Sequence, residues 1–547
     1  MTDSYNERLE HTRRMVIRRF GAAAGVFIAA PLMGGRALGQ QQTPTFSKNP
    51  FQLGIATGDP APDGFVIWTR LAPEPFQVGF GMPSSRIDVD WEVASDERFA
   101  TIVQTGKTQA SPFLAHSVHV EVTGLMPARP YWYRFRAGGV QSPTGRAKTA
   151  PALATNLANS KFGVAGCQSY PAGFFTAHKY LAAEDLDFVF CYGDYIYEGG
   201  GGGQAPAAAL VATAPAAGAP AAAAPNPRAH FGGEIYSVDD YRRRYAQYKS
   251  DPDLQAAHAA HAWYTVWDDH ETENNWASQW DENGTPPALF ALRRQAAAQA
   301  YYEHMPLRAS SMPNGPAIQI YRRAQYGTLM NLNFLDTRQF RSNQPCNDQA
   351  AGCTLEQVSA TTAQFMGQRQ EAWLGAGLDA SKARWNVLAQ QVMMMDLDRD
   401  PGPALRYNID SWAGYRTPRN RVLARMQQHK TPNVIVLTGD EHVNYAGELH
   451  LDGRTPGVKP IGIEFVSTSV TSGGNGQDDP GGSNPLVGAN AELKFINHQR
   501  GYLICDVTPE RWQSEFKVLD KVTDRNGVLS TRKKFAVAAG SSRLTDA

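Results

Sequence analysis

Three short segments carry residue types suited to holding cations. Gly193-Asp194-Tyr195-Ile196-Tyr197-Glu198, Trp267-Asp268-Asp269-His270-Glu271-Thr272-Glu273-Asn274-Asn275-Trp276 and Gly439-Asp440-Glu441-His442 each close a short apolar run. Carboxylate, imidazole and amide are the ligands that iron, manganese, zinc and calcium take. A single Gly-Asp after a strand is commonly no more than a turn. Three such endings in one chain would bury many ionisable groups side by side. Desolvation and like-charge repulsion make that costly unless cations neutralise the charge.

The elements that must position these residues are legible as alternations of short strands and helices. Phe162-Gly163-Val164-Ala165-Gly166-Cys167, Phe188-Val189-Phe190-Cys191, Ala262-Trp263-Tyr264-Thr265-Val266 and Val434-Ile435-Val436-Leu437 read as buried strands. Helical patterns fall at 292–304, 361–374 and 419–429. Open α/β sheets place their sites beyond the carboxyl ends of strands, so the polar endings are expected to converge. Upstream, 44–150 is rich in strand patterns. Ser117-Val118-His119-Val120-Glu121-Val122 alternates, and a Leu-x-Pro turn leads into Tyr131-Trp132-Tyr133-Arg134-Phe135-Arg136. That pattern resembles a fibronectin type III or immunoglobulin-like sandwich, with Tyr131 or Tyr133 as its signature tyrosine. The expected organisation is a small all-β domain over 44–150, an α/β catalytic domain of mixed sheets flanked by helices over 160–520, and a C-terminal tail over 521–547. The Gly/Ala/Pro tract at 199–227 reads as a flexible insertion at the rim.

Bulk composition agrees with a folded enzyme. A chain of 547 residues exceeds one ordinary core, at roughly 150 residues per domain, and predicts two or more packing units. Lys+Arg and Asp+Glu are both 52, so nothing marks a broad nucleic-acid-binding surface. Arg13-Arg14 stands ahead of an apolar stretch at 20–33, with Ala37-Leu38-Gly39 as a small-residue cleavage site. Residues 1–39 therefore read as a Tat signal peptide, with the Tat machinery as partner of the precursor and the periplasm or exterior as destination. About 14 apolar residues fall short of the ~20 that span a bilayer, so no membrane span is expected after signal removal. A monomer is expected. Five cysteines leave one unpaired by parity. Cys346 and Cys353, close together in a polar loop, are the best disulfide candidates, whereas Cys191 and Cys505 lie in apolar runs and read as buried thiols. Spacing alone gives Cys167 the same reading.

These segments resemble the dinuclear metallophosphoesterases, such as purple acid phosphatases, whose strand ends carry Gly-Asp-x-x-Tyr, Gly-Asn-His-Glu/Asp and Gly-His-x-His motifs. Asp194 and Tyr197 fit the first, Asp269-His270-Glu271 the second with Asp for Asn, and Asp440-x-His442 the third with Asp for His. Cys167 stands where that family has its first Asp. The replacements resemble the PhoD-type alkaline phosphatases, as do Ala56-Thr57-Gly58-Asp59-Pro60, Gly166-Cys167-Gln168, Phe334-Leu335-Asp336-Thr337-Arg338-Gln339 and Trp385-Asn386-Val387-Leu388-Ala389-Gln390-Gln391. The resemblance spans about 50–515 and implies a metallophosphoesterase-like α/β sandwich. It also implies Fe(III) and Ca(II), with Mn, Zn or Co as alternative divalent metals. Tyr197 and Cys167 are donors suited to Fe(III), and the resemblance makes Cys167 a ligand. Asp269, Asn275 and Asp440 offer oxygen to calcium, Asp194 is the natural bridge, and His442 completes the metal set. The implied reaction is hydrolysis of phosphate mono- or diesters by a metal-bound hydroxide. His270, held by a neighbouring carboxylate, is the candidate to hydrogen-bond phosphate or protonate the leaving group, the alternative being a structural histidine. Arg338 and Arg341 are set aside as structural, because a strand-end arginine commonly pairs with an aspartate such as Asp336. Alternatives are a phospholipase D-like diesterase acting on phospholipids or teichoic-acid-like polymers, and a non-catalytic surface-binding protein. No G-x-S-x-G elbow supports a serine hydrolase.

Overall fold

The apolar runs that precede the candidate ligands are central strands. Ser160–Ala165, Phe188–Cys191 and Ala262–Thr265 lie side by side and parallel in one sheet, and Val434–Thr438 is central in another. Parallel strands are covered on both faces, which is why these runs are apolar almost without interruption. The computed structural model describes residues 44–200, 228–350, 352–400, 402, 405–451, 458–478 and 485–547. The expected signal peptide at 1–39, and all of the expected insertion after Gly200, lie outside the described residues.

The first sheet has ten strands, in the order Thr545–Asp546, Leu529–Ala538, Arg511–Leu519, Gly501–Val507, Ser160–Ala165, Phe188–Cys191, Ala262–Thr265, Ile55–Ala61, Gly64–Arg70 and Ser117–Val122. The second has seven, in the order Arg322–Tyr326, Met330–Phe334, Trp385–Ala389, Val434–Thr438, Gly462–Val466, Asn444–Leu449 and Leu493–Asn497. The two sheets pack through one aromatic core. Phe190 and Tyr264 of the first lie 5.5 and 4.5 Å, ring centre to ring centre, from Phe334 of the second, and Trp512 lies 5.7 Å from Trp385. Fully burying a ring of this size is worth roughly 1.5–3 kcal/mol, so the contact plane holds the layers firmly. Helices cover the outer faces. Gly367–Ala380 and Arg416–Gln428 pack Leu374, Leu378, Leu423 and Met426 toward the second sheet, while Thr176–Ala183 and Pro252–Ala260 pack Leu181 and Leu254 toward the first. The helix expected over 361–374 begins only at Gly367, whose φ of +67° suits glycine. No helix among the described residues is long and apolar enough to cross a membrane.

The N-terminal segment 44–150 lends three strands to the catalytic sheet: Ile55–Ala61, Gly64–Arg70 and Ser117–Val122 extend it, with Thr57 opposite Ala262 and Gly58 opposite Trp263 in parallel. The strand Ala262–Thr265 would otherwise end the sheet as an open edge, and this pairing closes it. A third sheet, in which Ile102–Ala110, Ile87–Ala94 and Pro130–Ala137 are neighbours, packs on the extension through Phe65, Ile67, Val89, Val93, Tyr133 and Phe135. Residues 44–547 accordingly form one compact unit. Of the two tyrosines, it is Tyr131 whose hydroxyl accepts the Met126 N–H, at 2.9 Å. One expected boundary is corrected: 521–547 is no tail, since Leu529–Ala538 pairs antiparallel with Arg511–Leu519 and buries Phe535 and Val537. Its Ser-Thr-Arg-Lys-Lys run masks the alternation, because long basic side chains can lie on an exposed sheet face.

Candidate metal centre

Backbone shape at the strand ends is what gathers the ligands. Gly193 has φ +123°, and a Cβ there would sit 2.5 Å from both the Cβ and the backbone nitrogen of Asp268. Only glycine allows the loops after Phe188–Cys191 and Ala262–Thr265 to approach this closely, and the approach sets Asp194 beside Asp268 and Asp269. Glu271 fixes the junction by accepting the N–H groups of Asp194, Tyr195 and Asp268 at 3.1, 2.7 and 2.9 Å. Cys167, Asp194, Asn275, Asp440 and His442 all have φ between 50° and 65°, a left-handed conformation that non-glycine residues seldom adopt. Such strain concentrates at functional sites, where surrounding structure enforces it.

Three groups of ligand atoms converge, each with its members within 4.8 Å of one another: Cys167, Asp194 and His442; Asp194, Asp269 and His270; and Asp268, Asp269 and Asp440. Tyr197 joins the first. Its hydroxyl lies 2.8 Å from Asp194 Oδ2, 3.1 Å from His442 Nε2 and 2.6 Å from Ser472 Oγ. Asn275 sits beside the second group, its N–H donating to Asp269 Oδ2 at 2.8 Å. Every residue proposed from sequence thus lies in one neighbourhood. A cavity of about 270 Å³ opens there, lined by Asp194, Asp269, His270, Asn275, Asp440 and His442 together with Asn274, Asn408, Asp410 and Glu441.

The electrostatics divide the donors: burial and neighbouring carboxylates raise some, whereas Arg338 and His270 hold Asp269 below the usual carboxylate range against its burial. Burial, then the charges of Asp194 and Asp440, pushes the Cys167 thiol well above its usual range. Burial and Asp194 do the same to the Tyr197 phenol, and burial with Asp268, Asp410 and Asp269 raises Asp440. Burial would lower His270, but the charges of Asp269, Glu198 and Asp194 outweigh it and hold the imidazole well above its usual value. Glu198, which accepts from His270 Nδ1 at 2.7 Å, is held below the usual carboxylate range against its own burial by that partner. The donor set fits cations. Asp194 Oδ1 is buried without a hydrogen-bond partner, which is costly for a carboxylate unless an ion meets it. Thiol, phenol, imidazole and carboxylate also supply both softer and harder donors.

Arg338 pairs with aspartates as expected, although not with Asp336. It is fully buried and donates to Asp268 Oδ1 at 2.6 Å and to Asp410 Oδ1 at 2.8 Å, with Nη2 3.7 Å from Asp269 and 3.8 Å from Asp440. Asp336 instead accepts the backbone N–H groups of Arg338 and Gln339, both at 3.0 Å. Arg341 also pairs with Asp410, at 2.7 Å. Sequence reading gave no role to Glu198, Asp268, Asp410 or Ser472. Glu198 and Asp268 stand inside the quoted motifs, whereas Asp410 and Ser472 lie on loops with no strand-end signal. Breaking a buried ion-paired network by removing one partner costs about 3–5 kcal/mol. Arg338→Met is therefore expected to lose stability of that order in urea denaturation of metal-depleted protein, with an added divalent cation recovering part of it. A loss under about 1 kcal/mol would assign the charge balance to other groups.

Acid, thiol, phenol and imidazole set at strand ends around one polar cavity define a metal-binding hydrolase site. Residues 162–516 match the family described as PhoD-like phosphatase, and residues 37–151 match PhoD-like phosphatase, N-terminal domain. Alkaline phosphatase D of Bacillus subtilis (strain 168) is 44% identical over 524 residues, covering 96% of this chain and 87% of that protein. The solved structure of PhoD superposes with a TM-score of 0.85 at 44% identity, covering 92% of this chain and 93% of that one. The chain belongs to the PhoD-like phosphatase family and is a phosphoric ester hydrolase of the alkaline phosphatase D type.

The cysteines are arranged as expected: Cys346 and Cys353 are bonded, with Cα atoms 5.8 Å apart, and Cys191 and Cys505 are buried free thiols, as is Cys167.

Proposed function

We propose that the site holds iron through Cys167, Asp194, Tyr197 and His442, and calcium through Asp194, Asp269, Asn275 and Asp440, and that it cleaves phosphate mono- and diesters. The observation that carries this reading is the position of Asp194, which belongs to two ligand groups and has one buried oxygen without a partner. Bound there, the cations supply Lewis acidity toward water and phosphoryl oxygen. The protein's own residues do the rest. Tyr197 is oriented by Ser472, so its oxygen stays beside Asp194 and His442. Arg338 neutralises Asp268 and Asp410, which lets the remaining carboxylates face the cavity. His270 presents a charged imidazole to the cavity, fixed by Glu198, and serves as the proton donor to the departing alcohol. His270 also falls within a ligand group with Asp194 and Asp269, but the Glu198 contact occupies Nδ1 and favours the substrate side.

We further read the chain as a monomer exported by the Tat route to the periplasm or exterior, with an immunoglobulin-like sandwich at the N-terminal end. The twin arginine and the corner hydrogen bond of Tyr131 support these readings. Elemental analysis of protein purified from the cell, run with aryl mono- and diester substrates on the same preparation, tests the proposal. Iron and calcium are expected, with a visible charge-transfer band from Tyr197 or Cys167 and hydrolysis of both ester classes. Zinc alone with full activity would overturn the metal assignment.

A further inference from the structure

The loop that carries the only disulfide among the described residues reaches the metal centre at one point. Asp348 Oδ2 accepts from the side-chain amide of Asn275, at 3.1 Å. The backbone of Asn275 is already clamped, since its N–H donates to Asp269 at 2.8 Å and its carbonyl accepts from Gln344 Nε2 at 2.9 Å. What remains free is the rotation of its terminal amide, which has two orientations that exchange oxygen and NH₂. A cation takes the oxygen and is repelled by the NH₂. A carboxylate can only accept, so Asp348 must face the NH₂ and turns Oδ1 the other way.

The position of Asp348 needs its own explanation. Cys346, Asn347 and Asp348 have φ of 56°, 52° and 61°, three consecutive left-handed residues without a glycine among them. Such a turn persists only where its surroundings over-determine it. The Cys346–Cys353 bridge closes this loop into a ring, and Cys353 packs against the cluster of Val358, Tyr407, Ile409 and Ala413. Tyr407 and Ile409 flank Asn408, which lines the cavity. One covalent link thus ties the strained turn to a residue packed against the neighbours of Asn408.

We propose that Asp348 is a positioning residue that selects the oxygen-inward orientation of Asn275 for a cation, and that the Cys346–Cys353 bridge holds Asp348 in reach. The inference rests on the assignment of Asn275 as a calcium ligand. Partners one shell out from a metal typically govern about 10–100-fold of its affinity. Asp348→Asn keeps the shape of the side chain but lets its amide face Asn275 in either orientation, which removes the selection.

The experiment is a calcium titration of full-length protein stripped with a calcium-selective chelator that leaves iron in place, followed by the shift in unfolding midpoint. Asp348→Asn is expected to weaken calcium binding about 10–100-fold with iron content unchanged. The double variant Cys346→Ser with Cys353→Ser is expected to weaken it in the same direction by a smaller factor. Wild-type affinity in Asp348→Asn alongside a loss in Asn275→Ala overturns the positioning role and leaves the ligand assignment standing. Wild-type affinity in Asn275→Ala overturns the ligand assignment, and the positioning role with it. Unchanged binding without the bridge refutes the tether alone.

Discussion

Asp194→Asn is expected to lose iron, calcium and activity together. The carboxylate takes part in two of the three ligand groups, as Asp269 does. It alone joins the group that holds Cys167 and His442 to the group that holds Asp269 and His270, so its charge would be shared by both cations. Its Oδ2 takes the Tyr197 hydroxyl at 2.8 Å and its Oδ1 is buried without a protein partner. Asparagine keeps the shape and the backbone bond to Glu271, so the fold survives, but it replaces an anion by a neutral dipole whose NH₂ half repels cations. Once the cations are lost, burial keeps the protons on the Cys167 thiol and the Tyr197 phenol, so neither can stand in as an anionic donor. Loss of a partner one shell out commonly costs ~10–100-fold in metal affinity or activity, and removal of a shared direct ligand should exceed that. The check is metal content and turnover on the same preparation. Full metal content with activity abolished would move Asp194 from the ligand set to the substrate side.

How far these roles could be read from sequence depended on chain locality. Asp194, Asp269 and Asp440 were legible because each follows a buried parallel strand, and the fold gathers strand ends whatever their separation along the chain. Asn275 and His442 were legible as neighbours within those same motifs. Arg338 was not, because side-chain direction decides its partner. Asp336 lies two residues away, but it is consumed by backbone N–H groups, and the guanidinium extends to Asp268 and Asp410 instead. The sheet that the N-terminal segment joins was hidden for a related reason. The strands Ile55–Ala61 and Gly64–Arg70 are buried almost throughout, but nothing local announces that Thr57 will pair with Ala262 rather than within a separate sandwich. The strand Leu529–Ala538 was hidden by its basic residues, although Phe535 and Val537 keep the period of two. The cysteine pairing was legible because Cys346 and Cys353 share a polar loop, whereas Cys191 and Cys505 lie in separate buried strands.

His270→Ala is expected to leave the metals bound and slow turnover by about 10²–10⁴, the usual loss when a general acid is removed. Its imidazole lines the cavity, and Glu198 takes Nδ1 at 2.7 Å, so Nε2 is the nitrogen available to substrate. Asp269, Glu198 and Asp194 raise the imidazole above its usual value against burial, and of these Glu198 bonds it directly, which supports the charged form a proton donor needs. The Tyr197 ring, 4.1 Å away centre to centre, restricts its tilt. The decisive comparison is between leaving groups. An aryl ester departs as a stabilised phenolate and needs little protonation, whereas an alkyl ester departs as a strong base and needs it badly. The alkyl substrate should therefore carry most of the loss. Equal slowing of aryl and alkyl esters with metals retained would make His270 a phosphate-binding group and reject the acid role. Loss of a metal would make it a ligand, in keeping with its place beside Asp194 and Asp269, and would leave the departing alcohol to be protonated by solvent or another group in the cavity.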